Sequence, residues 1–136
     1  MRHHQTSTFT EAEASQVVAI ASAYKERGWE FSQICATTLE DSVELLYAYC
    51  DPSYKAAGLE GVRVNVPDGT SVPSITGVFP AAFVFENESH DLFGVSFEDI
   101  NIDFGGEFYT VAVAYPMNPR AAACPAEPQG EEACNE

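Results

Sequence analysis

The stretch FSQICATTLEDSVELLYAYC, residues 31–50, decides the fold. Residues 31–39 and 42–50 read as two strands that flank the pair Glu40-Asp41. Closing a hairpin across those two residues sets Val43 opposite Thr38, Leu45 opposite Ala36 and Tyr47 opposite Ile34. The other face then carries Gln33, Thr37 and Glu44, so one register yields one apolar and one more polar face. It also pairs Cys35 with Leu46 rather than with Cys50, which argues against a disulfide across the hairpin.

Upstream, residues 1–9 read as a loose arm. Thr10 and Glu13 have capping-box spacing, with Phe9 placed as a staple. Ala14, Val17, Ala21 and Tyr24 recur at helical spacing and Gly28 supplies a stop, which predicts a helix over 11–27. Trp29 follows the stop and is expected in the core. Downstream, residues 51–60 read as a loop, and Val62, Val64 and Val66 alternate with Arg63 and Asn65 as a third strand. Pro67-Asp68-Gly69 turns the chain. Pro80 suits the first turn of a second helix over 80–92, with Gly94 just past its end. Ile100, Ile102 and Phe104 alternate, Gly105-Gly106 turns, and residues 108–114 read as a last strand. Residues 116–136 hold four prolines, four glutamates and two cysteines. They are expected to form an acidic, Pro-rich, disordered tail. The result is a two-layer α+β domain over 10–115, with an N-terminal helix, a mixed or antiparallel sheet of three to five strands and a second helix.

Composition narrows the function. The 136 residues contain 6 Lys plus Arg against 21 Asp plus Glu, a net charge of −15. That balance disfavours nucleic acid and anionic membrane surfaces. Residues 117–136 contribute Arg120 against four Glu, so most of the acidity belongs to the domain. At 46% hydrophobic residues the chain can bury a core. The longest apolar run, residues 78–85, is interrupted by Pro80, and a spanning helix needs about 20 residues. No apolar signal-peptide core follows Met1-Arg2-His3-His4-Gln5, so a soluble, cytoplasmic protein is expected. Cys35, Cys50, Cys124 and Cys134 form no C-x-x-C pair.

The densest polar cluster is Glu86-Asn87-Glu88-Ser89-His90-Asp91. Glu86 and His90 share a helix face, as do Asn87 and Asp91. One reading is a small metal-dependent enzyme using Glu86, His90 and Asp91, although the paired Glu-x-x-His motifs of di-iron bundles are missing. Carboxylates near a helix C-terminus oppose the macrodipole, so these acids invite a cation: Arg63 within the chain, or Arg or Lys on a partner. The helix then serves as an interface or a buried ionic anchor. Other chemistries lack their motifs. There is no G-x-S-x-G elbow, Ser89-His90 adjacency is not a nucleophile–base pair, and Gly105-Gly106 lacks phosphate-loop spacing.

Residues 80–97, PAAFVFENESHDLFGVSF, resemble the signature of the 30 kDa subunit family of respiratory complex I: P-x-A, then E-R-E-x-x-D-[ML]-F-G-[IV]-x-F. Pro80, Ala82, Glu86, Glu88, Asp91, Leu92, Phe93, Gly94, Val95 and Phe97 match without gaps. Ser74-Ile75-Thr76 is similar to the family's S-[VI]-T approach. Asn87 stands where the family usually has Arg. After Phe97 the G-H-P segment of complex I members gives way to Glu98-Asp99-Ile100-Asn101-Ile102-Asp103-Phe104-Gly105-Gly106. This shortened form looks more like the small subunit of Ech-type energy-converting [NiFe] hydrogenases.

The resemblance implies a non-catalytic, cofactor-free NADH dehydrogenase 30 kDa subunit-like chain on the hydrophilic arm of an oxidoreductase complex. Its implied partners are a large [NiFe]-hydrogenase-like catalytic subunit and a small iron–sulfur subunit, on the inner face of the cytoplasmic membrane. Pro80, Glu86, Glu88, Asp91, Phe93, Gly94 and Phe97 would be its motif and interface residues. The acids would hold ionic contacts, the two Phe would pack and Gly94 would permit the turn. A free-standing acidic binding module is the remaining alternative.

Overall fold

The computed structural model describes residues 7–53, 58–108 and 113–123. A four-stranded mixed sheet, ordered β1-β4-β3-β2, forms one layer. Its strands are β1 (Thr8–Ala12), β2 (Glu30–Thr38), β3 (Ser42–Cys50) and β4 (Glu60–Pro67). Helices α1 (Val17–Glu26) and α2 (Phe83–Phe93) form the other layer. A two-stranded parallel ribbon of β5 (Ser71–Pro73) and β6 (Ser96–Glu98) flanks them, and a short helix α3 (Pro119–Ala123) follows. The α+β expectation is met.

The hairpin adopts the register read from the sequence: Thr38 faces Val43, Ala36 faces Leu45, Ile34 faces Tyr47 and Cys35 faces Leu46. A bulge between Phe31 and Gln33 shifts the pairing by one, so that Phe31 faces Tyr49. Phe31 therefore lies on the apolar face with Tyr49, their rings 6.0 Å apart. Val43, Leu45, Tyr47 and Tyr49 are fully buried, together with Val62, Val64 and Val66 of β4. Both helices cover this face. Tyr24 of α1 stacks on Tyr49 at 4.3 Å, and Phe85 of α2 meets Phe31 edge-on at 5.6 Å. Trp29 is only partly buried and packs against the core, with Tyr24 on one side and the Arg27 guanidinium 4.3 Å from its ring.

Three expectations are corrected. Residues 8 and 9 do not belong to a loose arm, and residues 10–12 do not cap and open the first helix. They form β1, which pairs in parallel with β4, Thr8 with Glu60 through Ala12 with Val64. The helical turn starts later, where the Glu13 amide donates to the Gln16 side chain at 2.9 Å and a 3-10 turn (Ala14–Gln16) leads into α1. The inward face of that helix, Val17 and Ala21 with Tyr24 packed beside them, is the one its periodicity indicates. Second, residues 100–104 are not a strand despite their alternation, because their backbone bonds to side chains instead: the Asn101 amide to Thr76 Oγ1 and the Phe104 amide to Asn87 Oδ1, both 3.0 Å. Of the last expected strand, residues 109–112 lie outside the described residues.

Third, the described part of the expected tail is docked. Arg120 forms a two-pronged pair with Asp68, at 2.7 and 3.0 Å, and donates to the carbonyls of Leu39 and Ser42 at the hairpin turn. Thr38 Oγ1 donates to the Met117 carbonyl, and buried Asn118 donates to the Phe93 carbonyl at 2.8 Å. The Arg120 guanidinium holds the Asp68 carboxyl below the usual carboxylate range. Residues 124–136, with Cys124 and Cys134, lie outside the described residues.

Candidate functional site

The motif begins with Pro80 at the first position of a 3-10 turn (Pro80–Ala82) that runs straight into α2. A missing N–H is harmless there, because the first amides of a helix have no intrahelical partner. At the other end Gly94 caps α2 in the left-handed conformation, φ +78°. A Cβ at Gly94 would lie 2.8 Å from that of Ala121 and 3.5 Å from the Tyr115 ring, so glycine also lets the C-terminal segment approach. The Met117 amide uses this proximity to donate to the Leu92 carbonyl at 2.8 Å. Phe93 and Phe97 are partly buried against the core, and Phe97 sits in β6 opposite Val72 of β5.

Ala82, Glu86 and Ser89, spaced i, i+4, i+7, are at most 2% exposed, so the acid Glu86 lies on the inward stripe of α2. Its Oε1 accepts from Ser74 Oγ at 2.7 Å and its Oε2 from the Ile75 amide at 2.9 Å. The proton directions of the neighbours follow. Ser74 gives its hydroxyl proton to the carboxylate, so the 2.6 Å contact with Thr76 runs from Thr76 Oγ1 to Ser74 Oγ. Thr76 Oγ1 in turn accepts from the Asn101 amide at 3.0 Å. The chain Asn101, Thr76, Ser74, Glu86 thus points every donor toward one carboxylate.

No cation enters this arrangement among the described residues. Arg63, the expected in-chain partner, projects from the opposite face of the sheet, with its guanidinium 5.9 Å from the Phe9 ring. That expectation is corrected: the strand alternation that buries Val62 and Val64 turns Arg63 away from α2. Desolvation dominates over the two hydrogen bonds and pushes the Glu86 carboxyl up from 4.5 to about 7. The buried Tyr47 phenol is pushed up as well, first by burial and then by Glu86. Neither the Tyr47 nor the Tyr49 hydroxyl has a hydrogen-bond partner among the described residues.

Asn87, 2% exposed, holds a different segment. Its Nδ2 donates to the carbonyls of Phe83 and Ile102, each at 2.8 Å, and its Oδ1 accepts from the Phe104 amide at 3.0 Å. The side chain that replaces the family's usual Arg therefore straps residues 102–104 onto α2. Asp91 is buried, with Oδ1 3.1 Å from His90 Nδ1. Glu88 lines a cleft of about 300 Å³ between α2 and the edge strand β2, with Gln33, Ile34, Cys35, Ala36, Phe85, Ser89 and Phe93.

The alternative metal-enzyme reading needs Glu86, His90 and Asp91 to converge. Among the described residues no three His, Cys, Asp or Glu side chains are grouped to hold a metal, and Glu86 is committed to Ser74 and Ile75. Gly105-Gly106 forms a turn with φ +62° and +88°. Sequence reasoning missed Gly61, Asn118 and Arg120. For Arg120 the available signal was a single cation within a stretch read as acidic tail.

Residues 10–102 match the model of the family described as respiratory-chain NADH dehydrogenase, 30 Kd subunit. A NADH-quinone oxidoreductase subunit of Mesorhizobium japonicum is 39% identical over 62 residues, 41% of this chain and 31% of that protein. Its counterpart in Sinorhizobium medicae is 32% identical over 85 residues, 57% of this chain and 40% of its own length. The chain thus spans well under half the length of these relatives. Among solved structures, a chain of the membrane-bound sulfane sulfur reductase, an archaeal respiratory membrane complex, superposes with a TM-score of 0.69. The match covers 87% of this chain and 72% of that one at 21% identity, which establishes a common fold. By the family match over residues 10–102, the chain belongs to the respiratory-chain NADH dehydrogenase 30 Kd subunit family.

Proposed function

We propose that this chain is a non-catalytic subunit of a membrane-bound, complex I-like respiratory oxidoreductase, part of its hydrophilic arm. It would stabilise the large catalytic and iron–sulfur subunits during electron transfer coupled to ion translocation. The observation that carries the reading is how the motif is used. Glu86, Asn87, Ser89 and Asp91 are buried and hold backbone or neighbouring side chains of this same chain. A motif devoted to internal architecture suits a scaffold that presents a surface to neighbours.

Within that reading, the energy-converting hydrogenase type is favoured over the NADH–quinone type. What supports this choice is the segment of residues 98–106, which differs from the G-H-P continuation of complex I members and is secured by Asn87 at residues 102 and 104. No helix of the described residues is long and apolar enough to cross a membrane, so attachment would be peripheral, through other subunits. A mild-detergent pull-down of the tagged full chain, with identification of the co-purifying subunits, tests the proposal. Recovery of a [NiFe]-type large subunit with an iron–sulfur subunit is expected. A quinone-type large subunit would reassign the complex. Recovery of neither would overturn the proposal.

A further inference from the structure

The segment after Phe97 forms an exposed apolar patch held against α2 by hydrogen bonds and a ring contact. Ile102 is 46% and Phe104 42% exposed. Such a patch on a free loop would collapse or move. Here it is fixed at three points spaced i, i+4, i+7 along the helix. Phe104 stacks on Phe83 at 6.3 Å, Asn87 bonds residues 102 and 104, and Gly106 is placed so that a Cβ there would lie 3.5 Å from the His90 ring. Phe108 packs edge-on to Phe104 at 5.0 Å.

Charge defines what can cover it. Glu98, Asp99, Asp103 and Glu107 are all exposed around the patch, and residues 64–119 contain no Lys or Arg. The described cations are engaged elsewhere: Lys25 on the Val78 carbonyl, Arg27 on Glu60, Arg63 over Phe9 and Arg120 on Asp68. An apolar centre with a one-signed rim is the anatomy of a protein interface, and its complement is an apolar patch ringed by Arg and Lys. A second copy of this chain would set acid against acid, and an anionic lipid surface would be repelled.

We infer that Ile102 and Phe104, with the acidic rim of residues 98–107, form the docking face for a neighbouring subunit that presents an apolar patch bordered by Arg and Lys. This deepens the proposed function and rests on it. The test places a photo-crosslinking phenylalanine analogue at position 104 of the tagged full chain, irradiates native membranes and isolates the complex in mild detergent. The expected product is a crosslink to another subunit of the co-purifying complex, at a peptide carrying apolar and basic residues. Its yield should fall at least fivefold in the Glu98→Lys, Glu107→Lys double variant, which spares the Asp103 carboxylate that accepts from the Gly105 amide at 2.8 Å and whose thermal unfolding should match the parent. Crosslinks confined to a second copy of this chain, to lipid or to a protein outside the complex would overturn the inference. So would an absent crosslink while the chain still co-purifies, which leaves the proposed function standing. Failure to co-purify at all removes both.

Discussion

The Ile75 amide donates to Glu86 Oε2 at 2.9 Å, so a motif carboxylate ends the hydrogen bonds of a turn instead of entering an ion pair. Buried charge without a cation is costly, and the group responds by binding its proton more tightly. The sign of the resulting pH dependence is fixed by that shift. Glu86 is raised from 4.5 to about 7 in the folded protein, so between those values the folded state holds a proton that the unfolded chain releases. Its contribution is fully present below about 4.5 and is lost as pH rises through about 7. Comparing Glu86→Gln with the parent cancels the other acids. The parent-minus-variant stability, from urea unfolding, should fall by on the order of 3 kcal/mol from pH 4 to pH 8. A difference that stays flat across that range would show that Glu86 titrates normally.

Asn87 satisfies three backbone groups with one amide, two as donor and one as acceptor. Truncating it leaves the Ile102 carbonyl and the Phe104 amide without that partner. Asn87→Ala should therefore cost about 2 kcal/mol in urea unfolding. Native-state hydrogen exchange should show the Phe104 amide exchanging faster, while the β3 amides lose only the global difference. Asn87→Arg restores the family's usual residue but brings no acceptor for the Phe104 amide, so it should release the strap as well. Unchanged protection at Phe104 in either variant would refute the strapping role.

The hairpin and both long helices are legible because their signals are local. Strand alternation sets the register from Ile34 to Thr38, and Pro80 and Gly94 bracket α2. The elements that mislead depend on contacts distant in sequence. Residues 8–12 carry a plausible capping pattern, and only β4, some fifty residues later, makes them a strand. Residues 100–104 alternate like a strand, yet helix and turn side chains take up their backbone groups. Glu86 invites an ionic contact because a charged residue suggests surface or salt bridge. Its position on the stripe with Ala82 and Ser89 points inward, and Ser74-Ile75-Thr76 is the available clue to its partners.

Tyr47 is fully buried, and its hydroxyl has no hydrogen-bond partner among the described residues. Removing an unsatisfied buried oxygen while keeping the ring should not destabilise the fold. Tyr47→Phe is expected to be neutral or stabilising by up to about 1 kcal/mol. A loss beyond about 1 kcal/mol in urea unfolding would mean that the hydroxyl makes a bond in solution.

Arg120 joins three places distant in sequence: the turn at Asp68, the hairpin carbonyls of Leu39 and Ser42, and α3 itself. Lysine cannot reproduce a two-pronged carboxylate contact together with two carbonyl bonds, because its donors radiate from one nitrogen. Arg120→Lys and Arg120→Ala should both loosen the C-terminal segment, which Thr38, Leu92 and Asn118 still tether through their own bonds. Limited proteolysis should then cut within residues 113–123 faster than in the parent, with cleavage of the sheet unaffected. Equal rates in all three proteins would show that the contact does not hold the segment.

Gly61 and Gly94 test two different reasons for glycine in one domain. At Gly94 the backbone is left-handed, φ +78°, and an added Cβ meets the Ala121 methyl group at 2.8 Å. Gly94→Ala therefore combines about 1 kcal/mol of backbone strain with a contact that α3 can relieve by shifting. At Gly61 no positive φ is involved, but a Cβ would collide with the Tyr47 carbonyl oxygen in the neighbouring strand. Backbone in the centre of a sheet cannot yield as a short terminal helix can, so Gly61→Ala should cost about 3 kcal/mol or more. Thermal unfolding should rank the variants in that order. Gly94→Ala should also accelerate proteolysis of residues 113–123, whereas Gly61→Ala should loosen the pairing of Ala48 with Gly61 and of Phe9 with Gly61. The reverse ranking would place the tighter constraint at the helix end instead of in the sheet.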